Sequence, residues 1–255
     1  MKRIVLSLVF ILFAAGICSA QNTYYFPQFV DGVLPATSVA WISVIAVTNP
    51  AAPGTTAASG TITLTSDTGT PLNLALCDEN GQPAGATFQL AGGQTKLFQS
   101  PQSCANSALP FNSGFATMTS TLPVSASSVF IQFSLLNGVP FGVGGVPAST
   151  PLMRQMILSV NDSSTNTAVA VANPGVGTAT ITFQLLDKSG NQVAGLATRT
   201  MLANNHTAFF VRELFPNVPG ALTGTMRITS DKPIVTTALV FEGATFGALP
   251  VFPLP

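Results

Sequence analysis

The side chains that could carry out catalysis are few. His206 is the only histidine, and a serine nucleophile needs a neighbouring base to become reactive. His206 lies in ANNHTAFF, which aligns with AGGQTKLF so that His206 takes the place of Gln94. A position that exchanges with glutamine at the start of a strand is typical of a polar surface residue. We therefore predict no catalytic residue and no enzymatic activity, with a hydrolase that depends on His206 as an alternative.

The carboxylates are placed for turns rather than for acid–base or metal chemistry. Asp78 and Glu79 are adjacent, so on a strand they would point to opposite faces, whereas glycoside hydrolysis needs two carboxyl groups that flank one bond. Four aspartates stand beside Gly, Asn, Ser or Thr without the alternating acidic run of a calcium loop: Asp67, Asp78, Asp162 and Asp231. The glycine clusters at 142–145 and 175–177 lack the helix start that phosphate binding needs. The sequence predicts no cofactor and no metal site.

The aromatic side chains suggest a binding function only weakly. Phenylalanine supplies 18 of them, against one Trp and two Tyr, whereas sugar-binding platforms usually present Trp or Tyr. Tyr24, Tyr25 and Trp41 are therefore the candidate ligand-contact residues. The two tyrosines lie near the start of the mature chain, where a terminus is often loose, and the position of Trp41 within a strand favours the core.

Residues 1–20 have the pattern of a secretory signal peptide. A basic start, Met1 to Arg3, is followed by the apolar run IVLSLVFILFAA and a small-residue cleavage site that ends at Ala20. The apolar run is shorter than the roughly 20 residues of a membrane span, and Ile17 occupies the place before Cys18 where a lipoprotein signal needs a small residue. We predict an exported protein, extracellular, at the cell surface or periplasmic, without a transmembrane anchor in the mature chain.

The composition limits the classes of partner. Charged residues make up 7% of the chain, far below the usual share of about 25%, and no basic excess is present to attract nucleic acid or an anionic membrane. A hydrophobic content of 47% argues against disorder. Cys77 and Cys104 remain after removal of the signal, and an even count in an exported chain favours a structural disulfide over a metal site. Two free buried thiols are the alternative.

Several short segments occur twice. IAVTNP at 45–50 returns as VAVANP at 169–174, and three further pairs follow in the same order: GQPAG and NQVAG, AGGQTKLF and ANNHTAFF, GFATMTSTLPV and GTMRITSDKPI. We interpret them as two diverged copies of one module. The first copy carries about a dozen extra residues, which we place after its Asn-Pro, within AAPGTTAASG.

Each copy has the pattern of strands and turns. Segments such as TATITFQLL alternate β-branched or aromatic residues with polar ones, and DENG and DKSG are typical hairpin connections. Only FFVRELFP predicts a short helical turn. The Gly- and Pro-rich segment 137–151 predicts a linker or a final edge strand. We predict an all-β protein of two tandem antiparallel immunoglobulin-like β-sandwich modules of about seven strands each, spanning 23–147 and 152–255.

This pattern resembles a group of exported bacterial tandem β-sandwich proteins that has no assigned activity. The similarity rests on FPQFVDG at 26–32, on strands that end in Asn-Pro, and on TFGALPVFP at 245–253. It implies a fold and an exported location and no chemistry. The second copy departs from it, because ILSVND stands where the first copy has FPQFVDG.

These observations predict a secreted or cell-surface structural or adhesion protein without catalytic activity. It would act through other extracellular or surface proteins or through self-association, since the exposed edges of a sandwich can add strands. The alternative is an extracellular carbohydrate-binding module that uses Tyr24, Tyr25 or Trp41, with a polysaccharide as partner.

Overall fold

The structure is a computed structural model that describes residues 21–35, 37–149, 151–218, 220–243 and 245–255. The predicted signal peptide, residues 1–20, lies outside the described residues. Among the described residues, no helix has the length and apolar character needed to cross a membrane.

Eight strands and one short 3₁₀ turn make up the first half of the chain. In chain order, β1–β8 span Asn22–Val33, Val39–Thr48, Ala58–Ser66, Thr87–Leu90, Thr95–Gln99, Asn112–Ser120, Ser125–Ser134 and Pro140–Pro147. The 3₁₀ turn, Pro101–Ser103, lies between β5 and β6.

The second half contains eight further strands and one short helix. β9–β16 span Met153–Asn161, Asn166–Ala172, Ala179–Asp187, Ala197–Met201, His206–Phe210, Thr223–Glu242, Thr245–Leu249 and Val251–Pro253. The helix α1, Val211–Leu214, follows β13 directly. The predictions of an all-β antiparallel protein and of a helical turn within FFVRELFP are both confirmed.

The strands pair in the same antiparallel way in both halves. In the first half, β6 pairs with β1 and β3, β3 pairs with β4, β2 pairs with β5 and β7, and β7 pairs with β8. In the second half, the long strand β14 replaces β6 and β7: its first part pairs with β9 and β11, and its last part pairs with β10 and β15. The pairs β11–β12 and β10–β13 complete the correspondence. This arrangement is compatible with the predicted duplication, and the division at 23–147 and 152–255 stays a prediction.

Alternating side chains explain why these segments form sandwiches. In β11, Ile181, Phe183 and Leu185 are fully buried, while the residues between them are more exposed. A strand with one apolar face must bury that face against a second sheet. Each half has its own apolar cluster. A smaller cluster joins the halves and includes Phe130 and Phe246.

The asparagine of the repeated Asn-Pro motif has a structural role. Asn49 and Asn173 are almost fully buried. The Asn49 side chain donates to the Leu90 carbonyl at 2.9 Å, and the Asn173 side chain donates to the Met201 and Leu202 carbonyls at 3.2 and 3.0 Å. Each asparagine therefore ties the end of one strand to the end of β4 or β12, where backbone carbonyls would otherwise lack a partner.

The repeated glycine of GFATMTS and GTMRITS is required by close backbone contact. A Cβ atom on Gly114 would lie 1.9 Å from the Thr65 carbonyl oxygen, and one on Gly224 would lie 2.0 Å from that of Leu186. No side chain fits at such distances, so this recurrence reflects equivalent packing in the two halves.

The extra residues of the first half are not where the sequence placed them. The numbering difference between equivalent residues is 124 for Asn49 and Asn173, 121 for Ala58 and Ala179, and 111 for their strand partners Leu90 and Met201. Only about three residues are therefore inserted after the Asn-Pro. About ten are inserted between the turn that ends β3 and the start of β4, in a segment that contains the Asp78 turn and has no counterpart in the second half.

The predicted turns and edge strand have the expected form. The Asp78 carboxylate accepts hydrogen bonds from the backbone N–H groups of Gln82 and Asn80, and Asp187 accepts equivalent bonds from Asn191 and Ser189. These backbone hydrogen bonds hold the pKa of both carboxyl groups below its ordinary value. β8 lies at the edge of its sheet, as the Gly- and Pro-rich segment predicted.

Candidate ligand-binding groove

A groove of about 640 Å³ lies between the two halves of the chain. Its first wall comes from β1, β2 and β7 and presents Gln28, Trp41 and Gln132. Its second wall is the outer face of the sheet formed by β10, β13 and β14. We name this space the inter-half groove. Its volume is within the range of about 300 to 1,000 Å³ that is typical of small-molecule sites.

Two alanines create the depression in the second wall. Ala170 on β10 pairs directly with Ala208 on β13, and both line the groove. The equivalent pair in the first half is Ala46 with Leu97. The second half thus has an alanine where the first half has a leucine, and the smaller side chain leaves space at this position of the sheet.

Aromatic rings surround this depression. The rings of Phe210 and Phe241 meet edge to face, with their centroids 5.4 Å apart, and Phe241 stacks on Phe246 at 5.1 Å. Trp41 lies 5.5 Å from Phe246 on the opposite wall. The groove therefore adjoins the apolar cluster that joins the halves, with which it shares Trp41, Phe130 and Phe241.

His206 and Asp67 also line the groove. Nδ1 of His206 lies 2.7 Å from Oδ1 of Asp67, and the His206 backbone N–H donates to the Asp67 carbonyl at 3.1 Å. The His206 side chain is fully buried, whereas that of Asp67 is half exposed. Asp67 lies in the Ser66–Thr70 turn that ends β3, so this turn brings a carboxylate against the second half.

The prediction that His206 is a surface residue is wrong. The sequence alignment equated His206 with Gln94, but Gln94 and Asn205 make the equivalent backbone bonds to Asn49 and Asn173. His206 is therefore equivalent to Thr95, one residue further along. The alignment slipped because the two turns share few side chains, and contact with the turn that ends β3 buries the imidazole.

The histidine does not form a catalytic triad in this geometry. Nε2, the atom that would accept a proton from a nucleophile, is buried and has no hydrogen-bond partner among the described residues. Among the same residues, no cluster of three or more His, Cys, Asp or Glu side chains could hold a metal ion.

The three predicted ligand-contact aromatics have different positions. Trp41 lines the inter-half groove. Tyr24 is buried in the first core, and its hydroxyl accepts the backbone N–H of Val124 at 2.8 Å, so its proposed ligand contact is corrected to a structural role. Tyr25 packs against a small cluster around Phe115, away from the groove. The loose terminus expected around both tyrosines is replaced by the regular strand β1.

The predicted disulfide is present. Cys77 and Cys104 are bonded, with their Cα atoms 6.5 Å apart. The bond joins the segment before the Asp78 turn to the residue that ends the 3₁₀ turn. Its role is structural, since neither cysteine lines the inter-half groove.

Sequence reasoning missed the groove itself. His206 and Trp41 are separated by most of the chain, and no motif connects them. The sequence alignment also hid the small residue at Ala208, because it set Ala208 against Lys96, whereas the strand register equates it with Leu97.

Comparison with known proteins adds little to this geometry. No family model matches the chain, and no curated protein matches it. Among solved structures, the chain is similar to a variant of BcpA, the major pilin subunit of Bacillus cereus, at 11% identity and a TM-score of 0.21, covering 91% of this chain and 66% of that one.

Two further structures have similarity of the same low level. A mutant of the major pilin from Streptococcus pyogenes is 10% identical with a TM-score of 0.20, covering 85% of this chain and 81% of that one. The Gt strain of infectious bursal disease virus is 10% identical with a TM-score of 0.19, covering 91% and 67%. Similarities this weak carry no functional argument.

Proposed function

We propose that this chain is an exported, non-enzymatic β-sandwich protein that acts at the cell surface or outside the cell. It works as a structural or adhesion protein through contacts with other surface proteins or with further copies of itself. The observation that carries the proposal is a group of exposed apolar side chains at one end of the first half.

These side chains, which we name the apolar tip, are Leu34, Leu135, Leu136 and Val139. Leu136 is 85% exposed and Val139 is 53% exposed. They lie on the β1–β2 and β7–β8 connections. No Lys, Arg, Asp or Glu occurs in residues 33–39 or 134–140. Neither connection therefore carries a charged side chain that would oppose its burial against a partner.

The backbone holds the apolar tip in position. The Leu135 N–H donates to the Ser38 carbonyl at 2.9 Å and so links the two connections, and the Leu34 N–H donates to the Val39 carbonyl at 2.9 Å. Because the backbone is already held, a partner that covers these leucines has only to order their side chains. Grouped apolar side chains of this kind are typical of protein contact sites, whereas single ones are not.

The test is Leu136→Asp in the mature chain from Gln21. We expect the unmodified protein to form oligomers or filaments in light scattering and negative-stain microscopy, and the variant to associate at least about tenfold more weakly, since burial of a leucine is worth about 1.5 to 3 kcal/mol. Val176→Asp is the matched control, because Val176 is a fully exposed apolar residue in another loop.

Two results would contradict the proposal. One is a monodisperse monomer at high concentration that binds no cell-wall fraction. The other is an equal effect of the Leu136 and Val176 substitutions, which would assign the change to solubility rather than to a contact at the tip.

A further inference from the structure

We propose that the inter-half groove binds a small organic ammonium ion, with the charged group near Asp67 and His206 and an apolar body against the aromatic rings. This inference does not depend on the proposed function, and the groove shares only Leu34 with the apolar tip.

Two buried polar atoms of groove residues have no partner. Oε1 of Gln28 and Nε2 of His206 are both inaccessible to solvent, and neither makes a hydrogen bond to any described residue. An unpaired buried polar atom costs about 1 to 3 kcal/mol. Such an arrangement in a lined groove is expected where a ligand completes the hydrogen bonding.

Gln28 has an unmet hydrogen-bond acceptor. Its Oε1 can only accept, and no described residue donates to it. A ligand that satisfies this atom must supply an N–H or O–H donor.

Charge then favours a cation over a neutral molecule. Asp67 and Glu213 line the groove, and no lysine or arginine does so among the described residues. Trp41, Phe210 and Phe241 also line the groove, and aromatic rings attract ammonium groups. An ammonium ion therefore fits the groove better than a sugar does. A neutral sugar would leave the negative charge of the two carboxylates without a partner.

The space at the Ala170–Ala208 pair limits the size of the apolar part of the ligand. The Ala170–Ala208 pair leaves room beside Phe210 and Phe241 for one ring or a short chain. Because the two walls come from different halves of the chain, a bound ligand would contact both and hold them together.

The experiment compares three probes of one shape. Calorimetric titration of the mature chain with 2-phenylethylammonium, 2-phenylethanol and phenylacetate separates charge from apolar contact. We expect the cation to bind about tenfold more tightly than the alcohol, and the anion to bind least. A change in the fluorescence of Trp41, the only tryptophan, should accompany binding.

Two substitutions locate the site. Ala208→Leu fills the depression with the residue that stands at the equivalent position of the first half, Leu97, so the strand should tolerate it while binding of all probes is lost. Asp67→Asn keeps an acceptor for His206 but removes the charge, and should weaken only the cation, by about fivefold. Ala221→Leu and Glu79→Gln, both at exposed positions outside the groove, are the matched controls.

Several outcomes would overturn the proposal. They are equal affinity for the cation and the alcohol, an absence of heat and fluorescence change up to millimolar cation, and binding of a neutral saccharide from a glycan panel without binding of the cation. The last result would support the carbohydrate-binding alternative. If Ala208→Leu fails to fold, the Asp67→Asn comparison still decides between these results.

Discussion

Asp31 and Asp162 occupy equivalent places at the end of the first strand of each half, yet their carboxylates have different partners. Oδ1 of Asp31 accepts the Gln102 backbone N–H at 2.9 Å, while Oδ2 has no hydrogen-bond partner among the described residues. Oδ2 of Asp162 also has no hydrogen-bond partner among these residues, but Arg212 Nε lies 3.6 Å from it and supplies an opposite charge. Burial raises the pKa of Asp31 above its ordinary value, although the Gln102 bond lowers it in part.

Replacement of Asp31 should therefore stabilise the protein at neutral pH. A raised pKa means that the folded state disfavours the charged form, so wild-type stability decreases as the pH rises through that pKa. Asp31→Asn keeps the acceptor for Gln102 and removes the charge. We expect its melting temperature at pH 7 to be about 2 to 4 °C above that of wild type.

The pH dependence and a matched variant check this explanation. The advantage of Asp31→Asn should disappear on acidification, when Asp31 becomes protonated in the wild-type protein as well. Asp162→Asn should instead lower the melting temperature, because it removes the partner of Arg212. A stabilising effect of equal size at both sites would show that burial of the charge is not the cause.

At the level of elements, the two halves stabilise the segment that follows β5 or its equivalent β13 by different means. The first half uses the Cys77–Cys104 bond next to its 3₁₀ turn. The second half has no cysteine there and instead has the helix α1, in which Glu213 accepts the Phe210 backbone N–H and Val211 and Phe215 are buried. A covalent bond in one half thus corresponds to a capped and packed helix in the other.

Loss of the disulfide should destabilise the first half. The bond spans 27 residues, for which the chain-entropy model gives about 3 to 4 kcal/mol. We expect Cys77→Ala/Cys104→Ala to lower the free energy of unfolding in urea by about that amount. The double variant should be insensitive to reductant, whereas reductant should bring the wild-type protein to the same stability. A wild-type protein unaffected by reductant under denaturing conditions would contradict this prediction.

For the whole molecule, the contact between the halves depends on a glycine in β8. A Cβ atom on Gly144 would lie 2.6 Å from the ring of Phe246, and that ring packs against Trp41 and Phe241. The edge strand and the second half are therefore in direct contact. The same contact covers part of the edge that β8 would otherwise expose.

Gly144→Ala should disturb this contact. Overpacking of this kind costs about 1 to 3 kcal/mol, and displacement of Phe246 should shift the emission of Trp41 towards longer wavelength. Gly145→Ala is the control, since a Cβ atom there would lie no closer than 3.7 Å to any other atom. Unchanged Trp41 emission in Gly144→Ala would mean that the halves do not pack through Phe246 in solution.

Short-range patterns in the sequence were sufficient to predict strands, turns and the short helix. Alternating Thr and apolar residues predicted β11, DENG and DKSG predicted the turns, and FFVRELFP predicted α1, because each depends on neighbours a few residues apart. The disulfide followed from counting cysteines. The repeated Asn and Gly were visible as repeats, but their roles were not, because a buried amide and a missing Cβ act on strands far away in the chain.

The tertiary structure alone decided where the insertion lies, which residue His206 replaces, and that a groove exists. The first depends on strand register, because the inserted segment around Cys77 has no counterpart from which an alignment could place it. The other two depend on how distant strands pair and on how one half packs against the other. Tyr24 became a buried hydrogen-bond acceptor for the same reason, since the pairing of β1 with β6 takes a partner almost a hundred residues away. Local periodicity determines strands, whereas contacts between distant segments determine which side chains meet.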